Sequence, residues 1–120
     1  MKRVGLVAHD LKKPALVDWC RRHRDQLAAF ELCATGTTGA AIVSATGLQV
    51  ALLKSGPLGG DAQLGAMIAE GRLDVLIFYQ DPLTALPHDV DVKALTRLAT
   101  LYDIPFAVNE ATADMVLAAL

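Results

Sequence analysis

Arg3-Val4-Gly5-Leu6-Val7-Ala8-His9-Asp10-Leu11-Lys12-Lys13-Pro14-Ala15-Leu16-Val17-Asp18-Trp19-Cys20 is the stretch on which the fold is read. The apolar run from Arg3 to Ala8 has strand length and breaks at a polar loop. Pro14 then suits the first turn of a helix, where its missing N–H costs nothing. That helix places Leu16, Trp19 and Cys20 on one side. Strand, polar loop and helix follow one another within a few turns of chain.

The same unit recurs along the rest of the sequence. Further strands are expected at Phe30 to Ala34, Val50 to Leu53, Val75 to Tyr79 and Phe106 to Val108. Thr37 or Thr38 can cap a helix through Ala40, Ile42 and Val43 that stops near Gly47. Asp61 opens Leu64, Met67 and Ile68, with Gly71 as the stop. Leu95, Leu98, Ala99 and Tyr102 recur at helical spacing, and Ala111 to Leu120 forms a last helix capped by Asn109 or Thr112. Strict alternation implies parallel strands joined by right-handed helical crossovers. The expectation is an α/β protein, a three-layer α/β/α sandwich with a five-stranded, mainly parallel sheet, and residues 1–120 as one domain. Strand order is not legible in this pattern. All strand carboxyl ends nevertheless fall on one edge, where open α/β sheets bind ligands.

Composition narrows the classes of function. The 120 residues are 53% hydrophobic but only 5% aromatic, so the core is aliphatic and suits strands buried on both faces. Net charge is −2, and the basic cluster Arg21-Arg22-His23-Arg24 is flanked by Asp18 and Asp25. It reads as a solvated helix face, and no nucleic-acid partner is expected. Cys20 and Cys33 lie in predicted regular structure without metal-ligand spacing, as reduced core residues of a cytoplasmic protein do. The apolar stretch after Met1 is too short for a signal peptide and runs into His9-Asp10. No segment approaches the roughly 18 apolar residues that span a bilayer, so no membrane role is expected.

The unusual residues gather at the predicted strand ends. His9-Asp10-Leu11-Lys12-Lys13 follows the first strand and Thr35-Gly36-Thr37-Thr38-Gly39 the second. Ser55 to Asp61 follows the third, and Gln80-Asp81-Pro82 through His88-Asp89-Val90-Asp91 the fourth. The Thr-Gly-Thr-Thr-Gly segment has the chemistry of a phosphate cup: exposed N–H groups, hydroxyls and a helix amino terminus. It reads equally as a capped turn. It is neither a Walker loop, lacking Gly-Lys-Ser/Thr, nor a dinucleotide fingerprint. Ser55 and Gly56 can complete the cup, and Lys12 or Lys13 can balance the charge. Asp61 can simply cap its helix, and His9, His88, Asp10, Asp81 and Asp91 can be ordinary loop residues. What favours a site is that cup, carboxylates and imidazoles share one edge.

Val7-Ala8-His9-Asp10, Ala34 to Gly39, Ser55-Gly56-Pro57-Leu58-Gly59-Gly60-Asp61 and Asp81-Pro82 through Pro87-His88-Asp89-Val90-Asp91 resemble the signature blocks of methylglyoxal synthases. Asp74 to Phe78 and Asn109 to Asp114 resemble the family too, so the likeness covers essentially the whole chain. It implies a carbon–oxygen lyase that eliminates phosphate from dihydroxyacetone phosphate without cofactor or metal, on a glycolytic bypass. It implies Asp61 as catalytic base and His88 at the reacting carbonyl, with Asp10, Asp81 and Asp91 as supporting acids. Phosphate, as substrate group, product and inhibitor, falls to Lys13, Thr35, Gly36, Thr37, Thr38, Ser55 and Gly56, and His9 lies in the substrate site. A homohexamer is implied. Longer members carry a C-terminal extension with contacts between subunits, and weak cooperativity is the expectation here. The same fold also serves as the ligand domain of carbamoyl phosphate synthetases and in a purine cyclohydrolase. Asp61, His88 and Asp91 together speak against the first, and the Gly59-Gly60-Asp61 block against the second. A flavodoxin-like receiver explains none of the four loops.

Overall fold

The structure, a computed structural model, describes residues 1–84 and 89–120, and for 89–91 the backbone alone. The strands are β1 (Arg3–Ala8), β2 (Glu31–Thr35), β3 (Val50–Leu53), β4 (Val75–Tyr79) and β5 (Phe106–Ala107). Between and after them run α1 (Lys13–Arg22), α2 (Arg24–Leu27), α3 (Gly36–Thr46), α4 (Gly60–Ala69), α5 (Asp89–Leu101) and α6 (Glu110–Ala119). Short 3-10 turns at Asp10–Lys12 and Gly56–Leu58 lead into α1 and α4.

The five strands form one sheet in the order β3-β2-β1-β4-β5, and every adjacent pair is parallel. Side chains alternate across it. In β4, Val75, Ile77 and Tyr79 enter one core while Leu76 and Phe78 enter the other, and all five are buried. Leu16, Trp19 and Cys20 of α1, Ile42 of α3 and Leu117 of α6 cover the first face. Leu64, Met67 and Ile68 of α4 and Leu95 of α5 cover the second. Burial on both faces explains why β1, β2 and β4 are apolar runs rather than alternating ones. The expected three-layer sandwich is present.

The chain travels from β1 outward through β2 to β3, then crosses back to β4 and on to β5. Right-handed crossovers running in opposite directions must use opposite faces, which puts α1 and α3 on one side and α4 and α5 on the other. The direction reverses between β1 and β4, so a crevice opens there at the carboxyl edge.

Local differences from the expected boundaries have identifiable causes. Phe30 is not in β2, because its N–H closes the turn after α2 on the Leu27 carbonyl at 3.0 Å. β5 stops at Ala107 rather than Val108. The α3 amino cap is Thr35 with extended backbone, not Thr37 or Thr38, and its side chain makes no capping bond. Gly47 ends that helix as expected, in the left-handed conformation with φ 72°. Tyr102 lies beyond the end of α5 and is half exposed. Asn109 does cap α6, its side chain accepting from the Thr112 N–H at 2.9 Å.

The basic cluster is neutralised within the protein. Arg22 pairs with Asp18 and with Glu110 of α6, and Arg24 Nε donates to the Thr46 carbonyl at the end of α3. Trp19, fully buried, donates from Nε1 to Asp114 Oδ1 at 2.8 Å and ties α1 to α6. Both cysteines are free and buried, and burial pushes their thiols up, to about 12 for Cys20 and about 11 for Cys33. Such thiols are packing residues, because the thiolate needed for reactivity is scarce at neutral pH.

Candidate active site at the carboxyl edge of the sheet

Four strand-to-helix connections border one cavity of about 470 Å³. From the β1 connection come His9, Asp10 and Lys13, and from β2 and the start of α3 come Thr35, Thr37 and Thr38. The β3 connection supplies Ser55, Gly56 and Asp61, and the β4 connection supplies Asp81 and Thr84. Parallel pairing brings these loops together, since each strand delivers its carboxyl end to the same edge. A larger, more open groove of about 1240 Å³ follows β3 on another side of the molecule. It holds none of these loop residues, so size alone is a poor guide to the chemistry.

The α3 end of the cavity gathers hydrogen-bond donors and one lysine. Because Thr35 is the cap, Thr37 and Thr38 occupy the first turn, where backbone N–H groups have no partner within the helix. The helix dipole adds partial positive charge at that end. Thr38 is fully buried, and its hydroxyl has no hydrogen-bond partner among the described residues. Lys13 Nζ donates to Thr37 Oγ1 at 2.8 Å and pairs with the largely exposed carboxylate of Asp10, also at 2.8 Å. Lys13, not Lys12, lines the cavity. Gly36 does not line it. Its N–H reaches the Lys54 carbonyl at 3.4 Å, and a Cβ there would stand 3.1 Å from the Leu53 carbonyl oxygen. The glycine therefore lets β2 and β3 approach each other at their ends.

Asp61 occupies the second position of α4, and the cap is Gly59, with φ 113°. The plain reading of Asp61 as the capping residue therefore does not hold. Its carboxylate lies over Gly56, where a Cβ would sit 3.5 Å from Asp61 Oδ2. Ser55 anchors the same loop through its carbonyl, which accepts from the N–H groups of Leu58 at 3.0 Å and Gly60 at 2.9 Å. A loop tied this tightly holds the carboxylate in one place.

At the crevice between β1 and β4, the His9 N–H donates to the Tyr79 carbonyl at 3.1 Å. His9 Nδ1 accepts from the Asp81 backbone N–H at 2.8 Å. The ring stands edge-on to Phe78, 4.9 Å between centroids. Asp81 is buried, and its carboxylate accepts from the Thr84 hydroxyl and, at 3.0 Å, from the Leu83 N–H. Those two hydrogen bonds, the hydroxyl first, hold the Asp81 carboxyl below the usual carboxylate range. Asp10 lies out in solvent beside Lys13.

His88 lies outside the described residues, and Asp91 contributes only its place in the first turn of α5. Thr84 was not singled out by sequence, because a lone Thr two residues after Asp-Pro carries no pattern of its own. Among the described residues, no three His, Cys, Asp or Glu side chains converge as a metal-binding group.

Residues 15–108 match the MGS-like domain family. The chain is 62% identical over 112 residues to methylglyoxal synthase of Agrobacterium fabrum, covering 92% of this chain and 88% of that protein. It is 59% identical over 120 residues to methylglyoxal synthase of Rhizobium rhizogenes, covering 99% and 95%. A crystal structure of methylglyoxal synthase from Elizabethkingia anophelis superposes with a TM-score of 0.93 at 50% identity, covering 98% of this chain and 77% of that one.

Proposed function

The chain belongs to the methylglyoxal synthase family, and on that premise we propose that it converts dihydroxyacetone phosphate to methylglyoxal and inorganic phosphate. One observation carries the reading: Lys13, Thr37, Thr38 and the amino end of α3 share a single cavity with Asp61. An anion receptor and a carboxylate base in one space suit a small ketone with one phosphate ester.

Asp61 takes a proton from the hydroxymethyl carbon, and the electron pair left behind moves onto the carbonyl oxygen to give an enediolate. A donor at that oxygen lowers the barrier, and this is the role assigned to His88. The enediolate then collapses toward the phosphate end. The hydroxyl on the deprotonated carbon gives its proton to the enediolate oxygen and becomes the aldehyde carbonyl. The π pair shifts to form a double bond to the phosphate-bearing carbon, the C–O bond to phosphate breaks, and phosphate leaves with that bonding pair. The enol left behind takes up a proton and ketonises to methylglyoxal. Expulsion requires the C–O bond to stand out of the enediolate plane. The phosphate sub-site of Lys13, Thr35, Thr37, Thr38, Ser55 and Gly56, with Gly36 shaping it, sets that torsion and stabilises the departing anion. Asp91 and Asp10 support the carboxylate chemistry, and His9 binds substrate. Every group this scheme needs is a side chain or a backbone N–H, so the reaction runs without a cofactor.

The pure protein, exhaustively chelated, is expected to release methylglyoxal and phosphate in equal amounts from dihydroxyacetone phosphate. Activity that disappears with chelator and returns with a divalent ion defeats the cofactor-free scheme. Isomerisation without phosphate release defeats the assignment of the reaction.

The reading extends to a homohexamer in the cytoplasm, on a glycolytic bypass that frees phosphate, with phosphate as a competitive inhibitor. Support comes from the family likeness and from apolar side chains left in solvent, such as Leu52 on the edge strand β3, which is 56% exposed. Among the described residues no helix is long and apolar enough to cross a membrane. Light scattering is expected to give a closed oligomer, and a monomer at micromolar concentration contradicts it.

A further inference from the structure

We propose that Asp81 and Thr84 are positioning residues that hold His9 in the tautomer with its proton on Nε2. The inference rests on the proposed function only in placing His9 in the substrate site. Its structural basis is a chain of contacts. The Asp81 N–H points at His9 Nδ1 at 2.8 Å, and a nitrogen that accepts a hydrogen bond carries no proton. In the neutral ring the proton is then on Nε2. His9 therefore enters the chemistry as a hydrogen-bond donor and not as a base.

The donor that enforces this tautomer is itself held in place. A backbone N–H has a fixed direction only if its turn is fixed, and the Asp81 side chain fixes it. One carboxylate oxygen accepts from the Leu83 N–H at 3.0 Å and the other from the Thr84 hydroxyl. Both bonds are charge-assisted, and the carboxylate is buried, so the turn is stiffer than its length suggests. On the other side, the His9 N–H is anchored on the Tyr79 carbonyl and its ring rests on Phe78. Imidazole and amide thus face each other across the reversal point of the sheet, one from β1 and one from β4. Asp81 acts through its backbone while its carboxylate braces the turn, and Thr84 acts through Asp81.

Proton-detected ¹⁵N spectra of the histidine rings test this directly, since the chain has 3 His and a His9→Gln variant assigns the signal. The wild-type protein is expected to show His9 with a protonated Nε2 and an unprotonated, hydrogen-bonded Nδ1. Thr84→Val and Asp81→Ala remove the brace, and both are expected to give averaged tautomers. In both, kcat is expected to fall about three- to tenfold, the scale of one lost hydrogen bond, with inhibition by phosphate unchanged within about twofold. Thr84→Ser and Asp81→Asn keep a hydroxyl and an acceptor for the Leu83 N–H, and are expected to restore the single tautomer and most of the turnover. A wild-type His9 protonated on Nδ1 overturns the proposal. So does a Thr84→Val spectrum identical to wild type, or an Asp81→Asn protein that keeps the tautomer and loses all turnover. A protein with the expected tautomer but no methylglyoxal formation defeats the functional reading and leaves this arrangement standing.

Discussion

Asp61→Asn is expected to lower kcat by at least about 10²-fold, the usual loss when a positioned base is removed. The substitution keeps the shape and hydrogen-bonding reach of the side chain and removes its capacity to take a proton. Phosphate and phosphate analogues should bind that variant as they bind wild type, because the phosphate sub-site proposed above draws on α3 and Lys13 and not on α4. Stability should fall by no more than about 1 kcal/mol, the scale of an acidic side chain in a first turn, because the cap of α4 is Gly59 and not Asp61. Single-turnover rates beside phosphate inhibition constants separate the two roles. Near-normal turnover returns Asp61 to a structural role, and parallel loss of turnover and phosphate affinity makes it part of the binding pocket.

The second large effect is expected one residue earlier. A Cβ on Gly60 would stand 2.1 Å from the Lys54 carbonyl oxygen and 3.0 Å from two further backbone carbons, those of Lys54 and Ser55. No side-chain rotation relieves such a contact, because all three atoms are backbone. Gly60→Ala must therefore move the loop or the start of α4. The Gly60 N–H bond to the Ser55 carbonyl and the position of Asp61 over Gly56 move with it. Overpacking of this kind costs roughly 1–3 kcal/mol, and a shift of about 1 Å at a reacting group can cost 10²-fold in rate. The expected result is a melting temperature lower by roughly 5–15 °C together with a large loss of kcat. Gly65→Ala is the comparison. It lies in the same helix, and among the described residues its Cβ would meet only Leu98 Cδ1 at 3.1 Å, the flexible end of a side chain. It should be far milder in both measurements. Equal behaviour of the two variants would mean that the loop at residues 54–60 yields more easily than its hydrogen bonds suggest.

These expectations bear on how the site is put together. The groups assigned to chemistry sit at the ends of four different strands, while the strand interiors beneath them are apolar and uncharged. Loop residues near the carboxyl edge can thus be exchanged with little effect on the core. Gly36 and Gly60 cannot, because the space a Cβ would take is already filled by backbone.

Much of this protein is legible in its order of residues. Apolar runs bounded by polar loops mark the strands, and Pro14, Gly47 and Gly71 mark helix ends, because those signals act within a few residues of chain. Strict alternation makes the sheet parallel, and parallel pairing alone is enough to bring His9, Thr35, Ser55 and Asp81 to one edge. Other features depend on residues far apart in sequence. The order β3-β2-β1-β4-β5 sets which loops are neighbours, and with it the contact of His9 with the Asp81 amide. The sequence points to Thr37 or Thr38 as the cap of α3, and the fold instead makes Thr35 the cap and puts both inside the first turn, because local propensity does not rank neighbouring threonines. The same holds for Lys12 and Lys13, one residue apart, of which only the second reaches Thr37. Local propensity cannot distinguish neighbours of the same type. Packing distinguishes them, because a turn of helix sends each in a different direction and only one direction meets a partner.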